Sequence, residues 1–261
     1  MRTNQTLRPA GILALLVVLD HGAAFASLTC TGNYKAELVM TDLPSTAIQA
    51  AKIGCNMYVT GFDSGSVFKF DLCAFNAQTE PRTPISAAST LCAQTGGGDD
   101  RHAIQVVTNN PDTMLPELWV TSKVTPSSVV ELSTSTCLPT GRSIAVGGID
   151  GLSFSPLRGY TLTVAQNGAV DVDLASLTVA SAPLVSTGEF VDHISWEPDQ
   201  PGRFLFMAGH STGNALVFDK VTSSLCVMAN AGPGIDGVAF APKSDSPTKN
   251  MQAWFNPGFP F

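Results

Sequence analysis

Asp150-Gly151-Leu152-Ser153-Phe154-Ser155-Pro156 returns as Asp236-Gly237-Val238-Ala239-Phe240-Ala241-Pro242, with a looser copy in Asp192-His193-Ile194-Ser195-Trp196-Glu197-Pro198. Each copy opens on an acidic turn residue and runs into a short apolar strand. A second apolar strand, a tight polar turn and a third strand follow. Adding Asp100, the unit starts at Asp100, Asp150, Asp192 and Asp236 are spaced by about 50, 42 and 44 residues. Self-similarity at that period is the signature of a radial or stacked repeat, because one such unit cannot bury its apolar faces alone.

Within the units, β-branched and aromatic residues alternate with polar ones, which is strand patterning. The unit from Asp150 predicts strands near Leu152–Ser155, Tyr160–Ala165, Ala169–Asp173 and Leu177–Leu184, with Asn167-Gly168 as a type I′ hairpin turn. The unit from Asp100 predicts Ile104–Thr108, Leu118–Thr121, Ser128–Leu132 and Ser143–Val146, and the unit from Asp192 predicts Ile194–Glu197, Phe204–Ala208, Ala215–Asp219 and Leu225–Met228. An earlier, degenerate unit has Ala47–Ala51, Met57–Thr60 and Ser66–Asp71, with Ile48–Lys52 the one stretch that also reads as helix. The last unit offers only Val238–Ala241 and Gln252–Phe255 before the coil-forming Asn256-Pro257-Gly258-Phe259-Pro260-Phe261. The expected fold is an all-β propeller of about five blades, closed by the early strand Tyr34–Met40 pairing with the last blade, since closure removes exposed edges. The alternative is part of a larger propeller.

Residues 1–26 read as a cleaved signal peptide: Arg2 and Arg8, an apolar core from Ile12 to Leu19, then Ala24-Phe25-Ala26 before Ser27. The core is too short to span a bilayer, although Asp20 and His21 leave a retained anchor as the alternative. Residues 27–261 then form one domain, exported to the extracellular space, or to the periplasm in a bacterium, with no later transmembrane run. The formal net charge of −7 and the 13% of charged residues exclude a nucleic-acid binder, which needs a basic stripe. The 44% of hydrophobic residues excludes a disordered chain.

All six cysteines, Cys30, Cys55, Cys73, Cys92, Cys137 and Cys226, follow the signal, and an even count in an exported chain predicts disulfides. Cys55 and Cys73 flank the hairpin about Asp63-Ser64-Gly65, which would set them opposite each other; the alternative pairs both with cysteines of other blades.

Met57-Tyr58-Val59-Thr60-Gly61 with Ser66-Val67-Phe68-Lys69-Phe70-Asp71, and Leu118-Trp119-Val120-Thr121, resemble the repeat of YVTN-type propellers. The Asp-Gly strand starts are similar to those of gluconolactonase-like and TolB-like propellers. These motifs specify blade construction, so the resemblance implies a fold and leaves activity open among lactonases, lyases, binding proteins and surface-layer proteins. The gluconolactonase Glu, Asn and Asp ligand set finds no matching Glu or Asn here.

In a propeller, the loop entering each innermost strand and the turn joining the second and third strands share one face. That places Asp100, Asp150, Asp192 and Asp236 around a channel mouth, with His102, His193, His210 and Asn214 on the same face. Such a set suits a divalent metal, calcium on carboxylates or zinc on imidazole, with Asp192, His193 and Asp236 as candidate ligands. Alternatively one of His193, His210 and His102 acts as a general base. Against both stands the plain alternative that an Asp before a strand satisfies turn amides. Trp119, Trp196 and Trp254 fall in predicted strands and suit blade packing. Gly96-Gly97-Gly98-Asp99-Asp100 reads as an inter-blade loop and Ser133-Thr134-Ser135-Thr136 as a turn; no Gly-x-Ser-x-Gly elbow occurs. The function expected is binding of a small molecule, glycan or extracellular protein at the channel face. The alternative is a metal-assisted hydrolase or lactonase, and more distantly a natural-product cyclase or isomerase.

Overall fold

The computed structural model describes residues 39–42, 47–61, 64–94, 101–124, 126–198, 202–230, 232–235, 237–242 and 251–256. The strands are β1 (Met40–Thr41), β2 (Ala47–Ile53), β3 (Asn56–Gly61) and β4 (Ser66–Asp71); after the short helix α1 (Leu72–Asn76) come β5 (Ile85–Ser86) and β6 (Leu91–Gln94). Then follow β7 (Ile104–Val107), β8 (Glu117–Ser122), β9 (Ser128–Leu132) and β10 (Pro139–Ala145). Next are β11 (Leu152–Phe154), β12 (Thr161–Gln166), β13 (Gly168–Asp173), β14 (Thr178–Val179) and β15 (Val185–Ser186). The chain continues with β16 (Val191–Trp196), β17 (Phe204–Gly209), β18 (Asn214–Asp219), β19 (Ser224–Asn230), β20 (Gly237–Pro242) and β21 (Met251–Asn256).

These strands build four blades of a β-propeller, ordered β2-β3-β4-β6, β7-β8-β9-β10, β11-β12-β13-β14 with β15 also on β13, and β16-β17-β18-β19. Among the described residues the blade count is therefore four rather than the expected five. The would-be fifth unit is the hairpin β20–β21, a two-stranded sheet. The expected closure rests mostly on residues 34–38, which lie outside the described residues. The described end of the early strand, β1, runs parallel to β5, with Met40 opposite Ile85, and not to the last unit. Beside this pairing, Val39, Met40, Phe68, Phe70 and Phe75 share one apolar cluster.

The innermost strands β2, β7, β11, β16 and β20 pack side by side in chain order. Burial follows from the layering. The second strands lie between blades on both faces, and every residue of β8 is buried. Between the second and third blades, Trp119 is wholly buried against Leu162, Val164 and Val172. Between the third and fourth, Trp196 joins Leu205, Met207 and Phe218. Each fully buried large apolar side chain contributes roughly 1.5–3 kcal/mol.

Two glycines explain sequence motifs. A Cβ on Gly151 would stand 2.9 Å from the Asp192 carbonyl oxygen and 3.0 Å from both the His193 Cα and the Ile194 nitrogen. The Asp-Gly start of this blade thus lets two innermost strands touch backbone to backbone. Gly151→Ala is expected to cost about 1–3 kcal/mol by overpacking. Urea unfolding checks this, and a loss below about 0.5 kcal/mol would contradict the close approach. Gly168 has φ of 127°, whereas Asn167 is not among the left-handed residues. Gln166 pairs directly with Gly168, so a single residue forms the tip instead of the expected type I′ turn. Val185 backs this turn: its carbonyl oxygen would lie 2.1 Å from a Cβ on Gly168.

Cys55 and Cys73 form a disulfide, with Cys73 carried on α1 just past the hairpin. A second disulfide, Cys92–Cys137, ties the outer strand of the first blade to the β9–β10 turn of the second. Cys226, on β19, is exposed and outside both bonds, and Cys30 lies outside the described residues. The ambiguous stretch Ile48–Lys52 is strand β2. Among the described residues, no helix is long and apolar enough to cross a membrane.

Candidate ligand site at the channel mouth

Backbone irregularity shifts the register at two side chains of the innermost strands. In β16 the register shifts between Val191, opposite Gly209, and His193, opposite Ala208, leaving Asp192 as the extra residue of a bulge. In β2 the register shifts between Ala47, opposite Gly61, and Ala50, opposite Val59, and Gln49 lies in that interval. Bulges re-aim side chains in this way at strand ends. The other contributors precede their strands. The Ala103 nitrogen donates to Thr121 Oγ1 at 2.9 Å, fixing the chain next to His102, and the Ala165 nitrogen donates to the Gly151 carbonyl at 2.8 Å, fixing it next to Asp150.

Three blades thereby meet at one point. His102 Nδ1 lies 2.8 Å from Asp150 Oδ1 and 3.8 Å from Asp192 Oδ1. One potential ligand atom from each of the three residues falls within 4.8 Å of the others. Lys123 enters from the turn after β8: its ammonium pairs with Asp150 Oδ1 and sits 3.3 Å from His102 Nε2. Only 1% of the Asp150 side chain is exposed, against 29% for Lys123, so the carboxylate is fixed and the ammonium is at the rim. The pairing sets the imidazole tautomer. Nε2 accepts from the Lys123 ammonium, which has no acceptor capacity of its own, so the ring proton sits on Nδ1, beside Asp150.

His193, on the innermost strand of the fourth blade, has its Nε2 3.5 Å from Gln49 Nε2 of the first blade. Gln49 also accepts from the Ile104 nitrogen at 2.7 Å through Oε1, so its amide nitrogen is the donor turned toward His193. Burial pushes the His193 pKa down to about 4, leaving the ring neutral at physiological pH. A base that weak is poorly matched to proton abstraction near neutrality.

The remaining sequence candidates fall elsewhere. Asp100 and Asp236 lie outside the described residues. His210 stands edge-on to Phe190, ring centroids 6.2 Å apart, in the β17–β18 turn. Asn214 belongs to a separate network: its Nδ2 donates to Glu189 Oε1 at 3.0 Å, and its Oδ1 accepts from Asn230 Nδ2 at 2.8 Å. A cavity of about 540 Å³ opens near that side, lined by Gln166, Asn167, Val170, Pro183, Val185 and Phe190 among others. Its lining includes none of His102, Asp150 and Asp192, so the cavity and the charged cluster are distinct places.

Lys123 and Gln49 escape the sequence reading. The face rule that selects His210, a turn between second and third strands, applies equally to Lys123 in the second blade. Gln49 sits in the stretch that reads equally as helix, where facing is undefined.

No family model matches the chain, and no curated protein matches it. Among solved structures it is similar to Kuenenia stuttgartiensis hydrazine synthase, at 19% identity and a TM-score of 0.40 over 59% of this chain and 45% of that one. It is also similar to U3-55K, at 12% identity and a TM-score of 0.46 over 70% of this chain and 51% of that one. The chain spans about half the length of these structures.

Proposed function

We propose that residues 27–261 are a secreted β-propeller that binds its ligand, a small molecule, glycan or extracellular protein, at the channel mouth. Residues 1–26 serve as the cleaved signal. The observation that carries this reading is the convergence of His102, Asp150 and Asp192 from three different blades on one point. A buried carboxylate is costly to hold without partners, and here its partners come from another blade. Polar groups gathered in this way are what fixes a ligand's orientation. The two disulfides support an exported chain, since such bonds persist in oxidising compartments.

A ligand-observed NMR screen of sugars, lactones and small amines tests the reading. The wild type is compared with a His102→Ala/Asp192→Ala double variant. Binding by the wild type that is lost in the variant, with unchanged unfolding, is the expected result. Binding that survives in the variant would move the site elsewhere, the cavity beside Phe190 being the next place to look.

A second reading, a metal-assisted hydrolase or lactonase, is supported by the imidazole of His102 lying 2.8 Å from the Asp150 carboxylate. In that case the double variant abolishes turnover of a lactone or ester while its melting temperature barely moves.

A further inference from the structure

We propose that the channel mouth is a divalent-cation site of the zinc class, held closed by the ammonium of Lys123. The inference rests on reading the mouth as a binding site, and names what it takes. The donors are one imidazole nitrogen and two carboxylates, a set that suits zinc better than calcium, which prefers oxygen alone. A tetrahedral zinc ion about 2.0–2.1 Å from each donor sets the donors about 3.3 Å apart. The observed separations of 2.8 Å and 3.8 Å from His102 Nδ1 to the two carboxylates bracket that value. Three protein ligands leave a fourth position for water or a ligand group, the pattern of an open zinc site.

Lys123 opposes the ion in two ways. Its ammonium already pairs with Asp150 Oδ1, supplying the positive charge a metal would bring. It also stands 3.3 Å from His102 Nε2, which stabilises the tautomer with the proton on Nδ1, the nitrogen a metal needs bare. Metal entry therefore requires Lys123 to swing outward from its position at the rim. The imidazole proton is then lost from Nδ1 and regained on Nε2. No net proton is released by the ring, and no redox partner is needed.

The test is zinc affinity by competition with a chromophoric chelator, backed by metal content after gel filtration. Lys123→Met is expected to bind one zinc per chain about tenfold or more tighter than the wild type, because a positive charge next to the ion is gone. Adding Asp192→Asn in that background is expected to abolish the gain. Calcium, titrated in parallel, is expected to bind more weakly than zinc. Equal zinc affinity in Lys123→Met and wild type, zinc binding indifferent to Asp192→Asn, or calcium binding tighter than zinc would each overturn the proposal.

Should Lys123→Met fail to fold, the wild-type protein decides alone. Imidazole ¹⁵N shifts should place the His102 proton on Nδ1 without metal and on Nε2 at saturating zinc. An unchanged tautomer refutes the exchange. A wild type that binds a screened ligand at the mouth yet shows no zinc gain in Lys123→Met refutes only the cation site. Absence of both refutes the binding reading as well.

Discussion

Glu117→Ala is expected to destabilise the protein by about 3 kcal/mol, the loss seen when one partner of a buried, hydrogen-bonded ion pair is removed. Glu117 opens β8 at the junction of the second and third blades. Its Oε1 accepts from Arg142 Nη1 at 2.8 Å and from Asn110 Nδ2, and its Oε2 accepts from Trp119 Nε1 at 3.0 Å and from the Tyr160 hydroxyl. Arg142 in turn donates to the Tyr160 hydroxyl at 3.0 Å and to the Leu174 carbonyl at 2.7 Å, both in the third blade. Truncation leaves the indole N–H of a wholly buried tryptophan without its acceptor, and leaves the Arg142 guanidinium with Glu131, 3.3 Å away, as its remaining carboxylate. Glu117→Gln keeps one acceptor oxygen and should lose about half as much. A Glu117→Leu/Arg142→Met pair should recover only the part owed to the charge, because the Trp119 indole, the Asn110 amide and the Tyr160 hydroxyl still lose their acceptor. Urea unfolding with an unchanged slope measures all three; a Glu117→Ala loss under about 0.5 kcal/mol would show that the network bears little of the blade contact.

The same network sets a pH dependence whose sign is fixed. Burial alone would raise the Glu117 carboxyl, but hydrogen bonds from Tyr160, Trp119, Asn110 and Arg142 outweigh it and hold the pKa below its ordinary value. A carboxyl depressed in the folded state stabilises above its unfolded pKa, about 4.3, and that contribution is lost as pH falls through the lower folded value. The wild type should therefore lose more stability than Glu117→Gln on acidification below about pH 5. At the alkaline end, burial and the hydrogen bond to Glu117 push Tyr160 up to about 12. Because the unfolded phenol ionises near 10, the Tyr160 contribution fades as pH rises from about 10 toward 12.

The repeat was legible because its determinants are local. Alternation marks strands, and a turn residue marks each start, so blades two, three and four fall where their Asp starts place them. The Asp-Gly dipeptide at Gly151 was visible as a strand start, but the close packing behind it, backbone contact with Asp192 and His193, is tertiary. Blade count was not legible, because it depends on which edge a short strand finds. Met40 pairs with Ile85 of a segment that carries no strand signal of its own. The channel cluster was half legible. The face rule placed His102, Asp150 and Asp192 together, but a one-residue bulge decides where Asp192 points, and period-two patterning is blind to it. Lys123 and Gln49 carry no motif at all; their roles come from reach across blades.

The larger of the two disulfide effects should come from Cys92–Cys137, a pairing that sequence alone leaves among 15 alternatives. Its sequence separation is 45 residues, against 18 for Cys55–Cys73. In the chain-entropy account, closing loops of those lengths stabilises by about 4 and about 3 kcal/mol respectively. Position widens the gap. Cys55–Cys73 closes a hairpin within one blade whose ladder already pairs Asn56 with Asp71. Cys92–Cys137 joins two blades and works alongside contacts that it positions: the Tyr58 hydroxyl and the Lys69 ammonium both donate to the Thr134 carbonyl at 2.7 Å. Cutting the bond frees the turn that carries Thr134, so those inter-blade hydrogen bonds weaken with it. Cys92→Ser/Cys137→Ser should thus unfold at lower urea than Cys55→Ser/Cys73→Ser. Its amides in β6 and in the Ser133–Leu138 turn should exchange first. The reverse order of stability, or protection retained in that turn, would mean that apolar packing between the first two blades holds them without the covalent link.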